Sequence, residues 1–341
     1  MLALLVLAFF TPAWAVPEHT LQDAQPKLTA FFDGGQGGQF SGQRAKKIAY
    51  RYFLNPQGTA AIVVATGYSE NMQKYSEIAY DLYQKGFSVF LFDHRGQGFS
   101  EHLLPDARRA DVDDFSAFTR DLKTYFDTVV KVQTPGLKHF LVGHSMGGAI
   151  SARYSEEYPD DFDKVVLSAP MLQINLHHIP DLVARGILRV MFWFGLEDAY
   201  VNGPADPLDE KFSSNQVTHS EDRFNVLNLA INRAHPEAQV WGLTASWLYH
   251  NLQGLDAISG EPQHVHVPML LFQAEQDAFV SNATEEDFCG RVANCRIQKF
   301  PGARHEILME TDSIRDLALE AIDKFVRPDR VSDGRSSSSS F

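Results

Sequence analysis

Six short, nearly continuous apolar runs, at 61–65, 87–92, 139–143, 164–167, 269–272 and 296–300, are separated by longer amphipathic segments, and this rhythm restricts the fold more than any other feature of the chain. A strand facing water on one side alternates apolar and polar residues, so near-continuous apolarity marks strands covered on both faces. Strands of that kind alternating with helices build βαβ units and a parallel sheet. The intervening segments 75–85, 112–132, 147–158, 284–292 and 314–326 read as helices. In the last of them Ile314, Ala318 and Ile322, and Leu317, Ala321 and Phe325, recur at helical spacing.

Two stretches break the rhythm. Gly34 to Gly42 is Gly-rich and precedes an alternating stretch at 47–53. No strand precedes it and no helix follows, so a phosphate-binding reading fails and a turn into an antiparallel hairpin is expected. The long interval 171–263 holds Pro180, Pro204, Pro207 and Pro236, several aromatic clusters and no convincing strand. A structureless loop of that length does not belong inside a compact domain, so the interval is expected to be a helical cap inserted after the sixth strand. The expected division is an N-terminal segment 16–36, a first core part 37–170, the cap 171–263, a second core part 264–328 and a disordered Ser-rich tail 329–341.

Charge narrows the partners. With 30 Lys+Arg against 43 Asp+Glu the net charge is -13, which argues against nucleic acid and against electrostatic attraction to anionic membranes. A small molecule is the expected partner. The apolar run at 2–10, followed by Pro12 and the step Ala13-Trp14-Ala15, predicts a secretory leader cleaved after Ala15, although no Lys or Arg precedes the run. The run is too short to span a membrane. The expected location is therefore outside the cytoplasm, periplasmic or secreted. Cys289 and Cys295 are the two cysteines. In an exported protein they read as a disulfide, and otherwise as two buried thiols.

The chemistry is concentrated at Gly143-His144-Ser145-Met146-Gly147, between an apolar strand and a small-residue helix start. This is the pattern of a nucleophile elbow, where a tight turn exposes the serine and small flanking residues are needed. Serine requires a base, and the base an orienting acid. Asp277 follows the strand at 269–272, and His305 follows the strand at 296–300, so the order is Ser, acid, His at strand carboxyl ends. Glu275 and Asp256 are the competing acids; Asp277 leads. The oxyanion needs backbone N–H donors, expected from Met146 and from Tyr68 in the loop after the first run.

The segments Thr66-Gly67-Tyr68-Ser69-Glu70 and Asp93-His94-Arg95-Gly96-Gln97-Gly98-Phe99-Ser100, with the elbow, Asp277 and His305, resemble α/β-hydrolases of the monoacylglycerol lipase and bacterial lysophospholipase L2 group, over roughly 40–327. The resemblance implies a mostly parallel sheet flanked by helices, a helical cap and acyl-ester substrates carried by single-chain lipids. It also implies that the Asp93 to Ser100 segment is a structural turn. Two positions depart from the pattern: Thr66 stands where a His is usual, and Ala274 where a Gly is usual. Phe192 and Trp193 in the apolar stretch 187–196, with Trp241 and Trp247, are the expected substrate contacts in the cap, and that stretch either lines an acyl site, touches a lipid surface or packs on the core. His177-His178 and His264-x-His266 lack metal-ligand spacing, so neither metal nor cofactor is expected. The competing functions are a short-chain carboxylesterase or cofactor-free perhydrolase with the same triad, and a non-catalytic lipid-binding protein.

Overall fold

The structure is a computed structural model that describes residues 14–176, 179–201 and 203–327. Most of the expected leader, the expected tail, and His177 and His178 lie outside the described residues. Among the described residues eight strands form one sheet: β1 (Gln36–Ser41), β2 (Lys47–Phe53), β3 (Ala60–Ala65), β4 (Ser88–Phe92), β5 (Lys138–His144), β6 (Lys164–Ser168), β7 (Met269–Ala274) and β8 (Cys295–Phe300). Their spatial order is β1-β2-β4-β3-β5-β6-β7-β8. β1 and β2 are antiparallel to each other, β2 is antiparallel to β4, and the remaining pairs are parallel.

Every residue of β3, β4 and β7 is buried, as expected for strands covered on both faces. The longer helices are α1 (Leu21–Asp33), α2 (Ser76–Gln84), α3 (Ser116–Tyr125), α4 (Met146–Glu157), α5 (Asp181–Trp193), α6 (Ala245–Gly260), α7 (Asn282–Arg291) and α8 (Asp312–Val326), of which α5 and α6 belong to the insertion. Ala65 pairs with Gly143, His144 with Ser168, Ser168 with Phe272 and Ala274 with Phe300. The loops after β3, β5, β7 and β8 therefore emerge along one edge, where ligands of open α/β sheets bind.

The expected antiparallel hairpin is present, as β1 against β2, but the Gly-rich stretch is itself a strand rather than a turn: 36–41 is β1 at the sheet edge, and its exposed face needs no apolar alternation. Tyr50 on β2 lies so close over Gly38 that a Cβ there would stand 2.7 Å from its hydroxyl. The segment 16–36 contains helix α1, which buries Leu21, Leu28 and Phe32 and carries Pro26 in its interior. That proline, normally a helix breaker, masks the helix in the sequence.

Between β6 and β7 the insertion contains α5, a helical run (Glu221–Arg223, Phe224–Ala230, Ile231–Ala234) and α6. A two-residue ladder, Gly242–Leu243 against Arg109–Ala110, ties it to the loop after β4. Next to it the Thr244 side chain accepts from the Trp247 amide at 3.0 Å and so caps α6. Cys289 at the end of α7 and Cys295 at the start of β8 are disulfide-bonded. No described helix is long and apolar enough to cross a membrane.

Candidate active site

The site is built around the turn from β5 to α4. Ser145 there has φ 51° and ψ -116°, outside the regions comfortable for a residue with a side chain. Neighbouring contacts hold it in place: its N–H donates to the Ser168 carbonyl at 3.0 Å, and its carbonyl accepts from the Met171 amide at 2.9 Å. The flanking glycines have a steric cause. A Cβ on Gly147 would lie 2.3 Å from the Ala65 carbonyl oxygen, and one on Gly143 would lie 2.4 Å from Ser151 Oγ. Both lie far inside van der Waals contact, so helix and strand approach this closely only without side chains.

Ser145 Oγ lies 2.9 Å from His305 Nε2, and His305 Nδ1 lies 2.6 Å from Asp277 Oδ2. A proton on Nδ1, donated to the carboxylate, leaves Nε2 free to accept the serine proton. Asp277 Oδ1 accepts the amides of Phe279 and Val280 at 2.8 and 3.0 Å. Burial alone would raise this carboxyl, but the His305 hydrogen bond and charge, with the two amides, outweigh it and hold the group below its ordinary range. The competing acids are elsewhere: Glu275 accepts the Gly302 amide at 2.7 Å, and Asp256 pairs with Arg185 on the cap.

The loop after β3 faces the elbow. Its Gly67 amide donates to Glu70 Oε2 at 2.5 Å and its Ser69 amide to Gln97 Oε1 at 3.3 Å. The Tyr68 amide between them has no acceptor among the described residues. The Met146 amide is the first of helix α4, and first-turn amides have no intrahelical acceptor. These two N–H groups are therefore left without an acceptor beside the elbow among the described residues.

Several supporting residues escaped the sequence reading. Gln97 Nε2 donates to the Gly67 and Glu70 carbonyls at 2.7 and 2.9 Å, so the Asp93 to Ser100 turn props the loop. Lys74 Nζ donates to Glu70 at 2.6 Å and to Glu306, beside His305, at 2.7 Å. Burial would raise Glu70, but Lys74, His144 and Tyr75 hold it down at about 2. Burial likewise pushes His144 down to about 4, so this ring, 4.9 Å from that of His305, is neutral at pH 7. The adjacency of Glu306 to His305 was the one available signal; its partner Lys74 is 232 residues away.

The expected cap contacts separate. The Trp247 ring lies 4.7 Å from that of Tyr68, at the oxyanion loop. Phe192 packs instead against Tyr249 at 4.9 Å, and Trp241 lies under Arg108. Trp193 is 85% exposed on the outer face of α5, so it lines no enclosed cleft. Among the described residues no group of three or more His, Cys, Asp or Glu is placed to hold a metal ion.

Comparison with known proteins shows the family and the fold. The family model Hydrolase_4, described as serine aminopeptidase, S33, matches residues 56–312. The chain is 31% identical over 308 residues to a probable lysophospholipase L2 of Haemophilus influenzae, covering 89% of this chain and 96% of that one. It is 33% identical over 322 residues to lysophospholipase L2 of Escherichia coli, covering 91% and 93%. In fold it is similar to a soluble variant of monoglyceride lipase from Saccharomyces cerevisiae, solved with a substrate analog, with TM-score 0.66, 18% identity and coverage of 85% and 93%.

Proposed function

This chain belongs to the Hydrolase_4 family of serine hydrolases, in its monoacylglycerol lipase and lysophospholipase group, and from that premise we propose that it is a lysophospholipase releasing the fatty acid of single-chain phospholipids. The observation that carries the reading is the unbroken contact from Ser145 through His305 to Asp277 on a strained elbow. Ser145 Oγ attacks the ester carbonyl while His305 Nε2 takes its proton, and Asp277 stabilises the resulting imidazolium. The amides of Tyr68 and Met146 hold the oxyanion. Collapse expels the glycerol-side alcohol, which takes the proton from His305, and leaves an acyl-Ser145 ester. Water, deprotonated by the same imidazole, then releases the fatty acid and restores the serine.

Two further parts belong to this proposal. The enzyme works outside the cytoplasm after leader removal behind Ala15, a reading supported by the Ala13-Trp14-Ala15 step and by the disulfide, which persists in oxidising compartments. It meets lipid aggregates transiently through the apolar outer face of α5, where Leu182 and Trp193 are exposed, together with Phe194 just beyond its end.

The test is fatty-acid release from a panel of lysophospholipids, monoacylglycerols and short esters, run beside Ser145→Ala. Long-chain lysophospholipids are expected to turn over fastest, and Ser145→Ala to lose on the order of 10^6 in kcat. A maximum at acetyl or butyryl esters makes the protein a short-ester carboxylesterase instead. Retained turnover in Ser145→Ala removes the serine from its assigned role.

A further inference from the structure

Ala15 and Val16 are buried, although they flank the expected cleavage point. The Val16 N–H donates to Asp81 Oδ1 at 3.1 Å, and the Val16 carbonyl accepts from Arg223 Nη2 at 3.2 Å. Both backbone polar atoms of one residue are thus held by charged side chains, one from α2 and one from the helical run of the cap.

The surroundings are unbalanced in charge. Asp81 Oδ2 accepts from Arg315 Nη2 on α8 at 2.7 Å. Arg223 contacts Glu77 at 3.0 Å and Asp312 at 2.7 Å, and Glu18 Oε2 lies 3.9 Å from it. The side chains of Glu77, Asp81, Arg223 and Arg315 have no solvent exposure. Asp316, partly buried beside them, feels the same two guanidiniums and both Asp312 and Glu77. The four side chains without exposure balance, two carboxylates against two guanidiniums, and the surplus of carboxylates comes from Asp316 and from the partly exposed Asp312 and Glu18 at the margin, where incomplete compensation is costly. Burial, with Glu77 adding to it against the pull of Arg315, holds Asp81 up at about 7.

We propose that removal of the leader turns the Val16 amide into an α-ammonium that pairs with Asp81, so that processing supplies the missing cation and locks the N-terminus between α2, α8 and the cap. The inference rests on the export reading above. In the step, an endopeptidase of the leader-peptidase class adds water across the Ala15–Val16 peptide bond. Ala15 leaves as the carboxylate end of the leader, and the Val16 amine takes up a proton. Cleavage precedes folding, because the folded chain buries the bond. The nitrogen already lies at hydrogen-bond distance from Asp81, so the new ion pair needs no rerouting of the backbone.

The pair has a defined pH sign. An α-amine ordinarily titrates at about 7.7 to 8.0. Pairing raises that value in the folded state and draws Asp81 down from about 7, so the stabilisation is complete where both groups are charged and is lost as pH rises through the raised amine value or falls through the lowered carboxyl value.

The experiment compares a chain beginning at Val16, released from a cleavable fusion partner, with the same chain one residue longer, beginning at Ala15. At about pH 6 the Val16 chain is expected to melt several degrees higher, and the gap to close by about pH 10. Asp81→Asn is expected to abolish the gap. An acylating reagent, followed by mass spectrometry, is expected to label the Val16 amine far more slowly in the native protein than in urea. This readout needs no substitution and so stands even where Asp81→Asn fails to fold. Equal melting of the two chains at about pH 6, or labelling at the denatured rate, overturns the ion pair. Separately, the secreted protein is sequenced from its N-terminus: Val16 supports the processing step, and any other terminus overturns it without touching the result on the fusion-derived chain.

Discussion

Lys74 places one ammonium between Glu70 and Glu306, at 2.6 and 2.7 Å, with no more than 9% of any of the three side chains exposed. Glu70 in turn accepts from the Gly67 amide and from the Tyr75 hydroxyl, both at 2.5 Å, so the lysine ties the oxyanion loop to the residue beside His305. Removing it strands two buried carboxylates face to face. Lys74→Met is expected to cost about 3–5 kcal/mol of stability and to lower kcat more than it changes KM, whereas Lys74→Arg keeps the charge and most of the rate. Urea unfolding and steady-state kinetics check this; a Met variant that loses stability but keeps kcat would show that the lysine serves the fold alone. Ser145 shows the opposite relation to the sequence. Its strained backbone, of order 1–3 kcal/mol, sits in a tight turn where the close approach of α4 to β3 and β5 requires Gly143 and Gly147 within two residues, so the elbow leaves a local mark in the sequence. Lys74 carries no such mark, because its need arises from a partner 232 residues along the chain.

Helix α5 buries only Ala184 and Leu188 and leaves Leu182 81% exposed and Trp193 85% exposed. Its polar flank is consumed by Arg185, which pairs with Asp181 and with Asp256 of α6. What remains outward is an apolar strip that neither tunnels toward Ser145 nor packs on the core. Leu182→Glu combined with Trp193→Glu is expected to lower kcat/KM severalfold on aggregated long-chain lipid and to leave hydrolysis of a soluble short ester unchanged. Equal effects on the two substrates exclude a role in reaching lipid surfaces. From the sequence, the apolar stretch 187–196 fitted a functional role, lining an acyl site or touching a lipid surface, about as well as a helix packed on the core. Only the docking of α5 on α6, with Phe192 against Tyr249, decides which side faces out. Helix α1 was hidden for a different reason: Pro26 opposes helix locally, and burial of Leu21, Leu28 and Phe32 overrides it.

Across the whole molecule, acid predominates and some of it is inside. Burial pushes Glu156 up to about 8 despite Arg153, and Glu285 up to about 8 despite Gln273. With Asp81 and Asp93, both held up at about 7, these carboxyls make the folded chain bind more protons than the unfolded one from the ordinary carboxylate range up to about pH 8. His94 and His144, both pushed down to about 4, oppose them only below the ordinary histidine value, so stability falls as pH rises. Glu70 and Asp277 are shifted the other way, so their contribution is already complete above that range and is lost only on stronger acidification. The urea midpoint is expected to be higher at about pH 5 than at about pH 8, with Glu285→Gln flattening part of the slope; a midpoint that rises over this interval contradicts it. The sequence by itself determined the parallel sheet, the position of the insertion, the elbow and the strand ends that carry Asp277 and His305. Strand periodicity and the steric demands of a tight turn are expressed in residues adjacent along the chain. Tertiary structure alone decided which loop amides stay free, which face of α5 meets solvent, and the ion clusters around Lys74 and Asp81. The pairings of Val16 with Asp81, Lys74 with Glu306 and Asp81 with Arg315 join residues from 65 to 234 positions apart, and their strength comes from a low dielectric that exists only once the whole chain has packed.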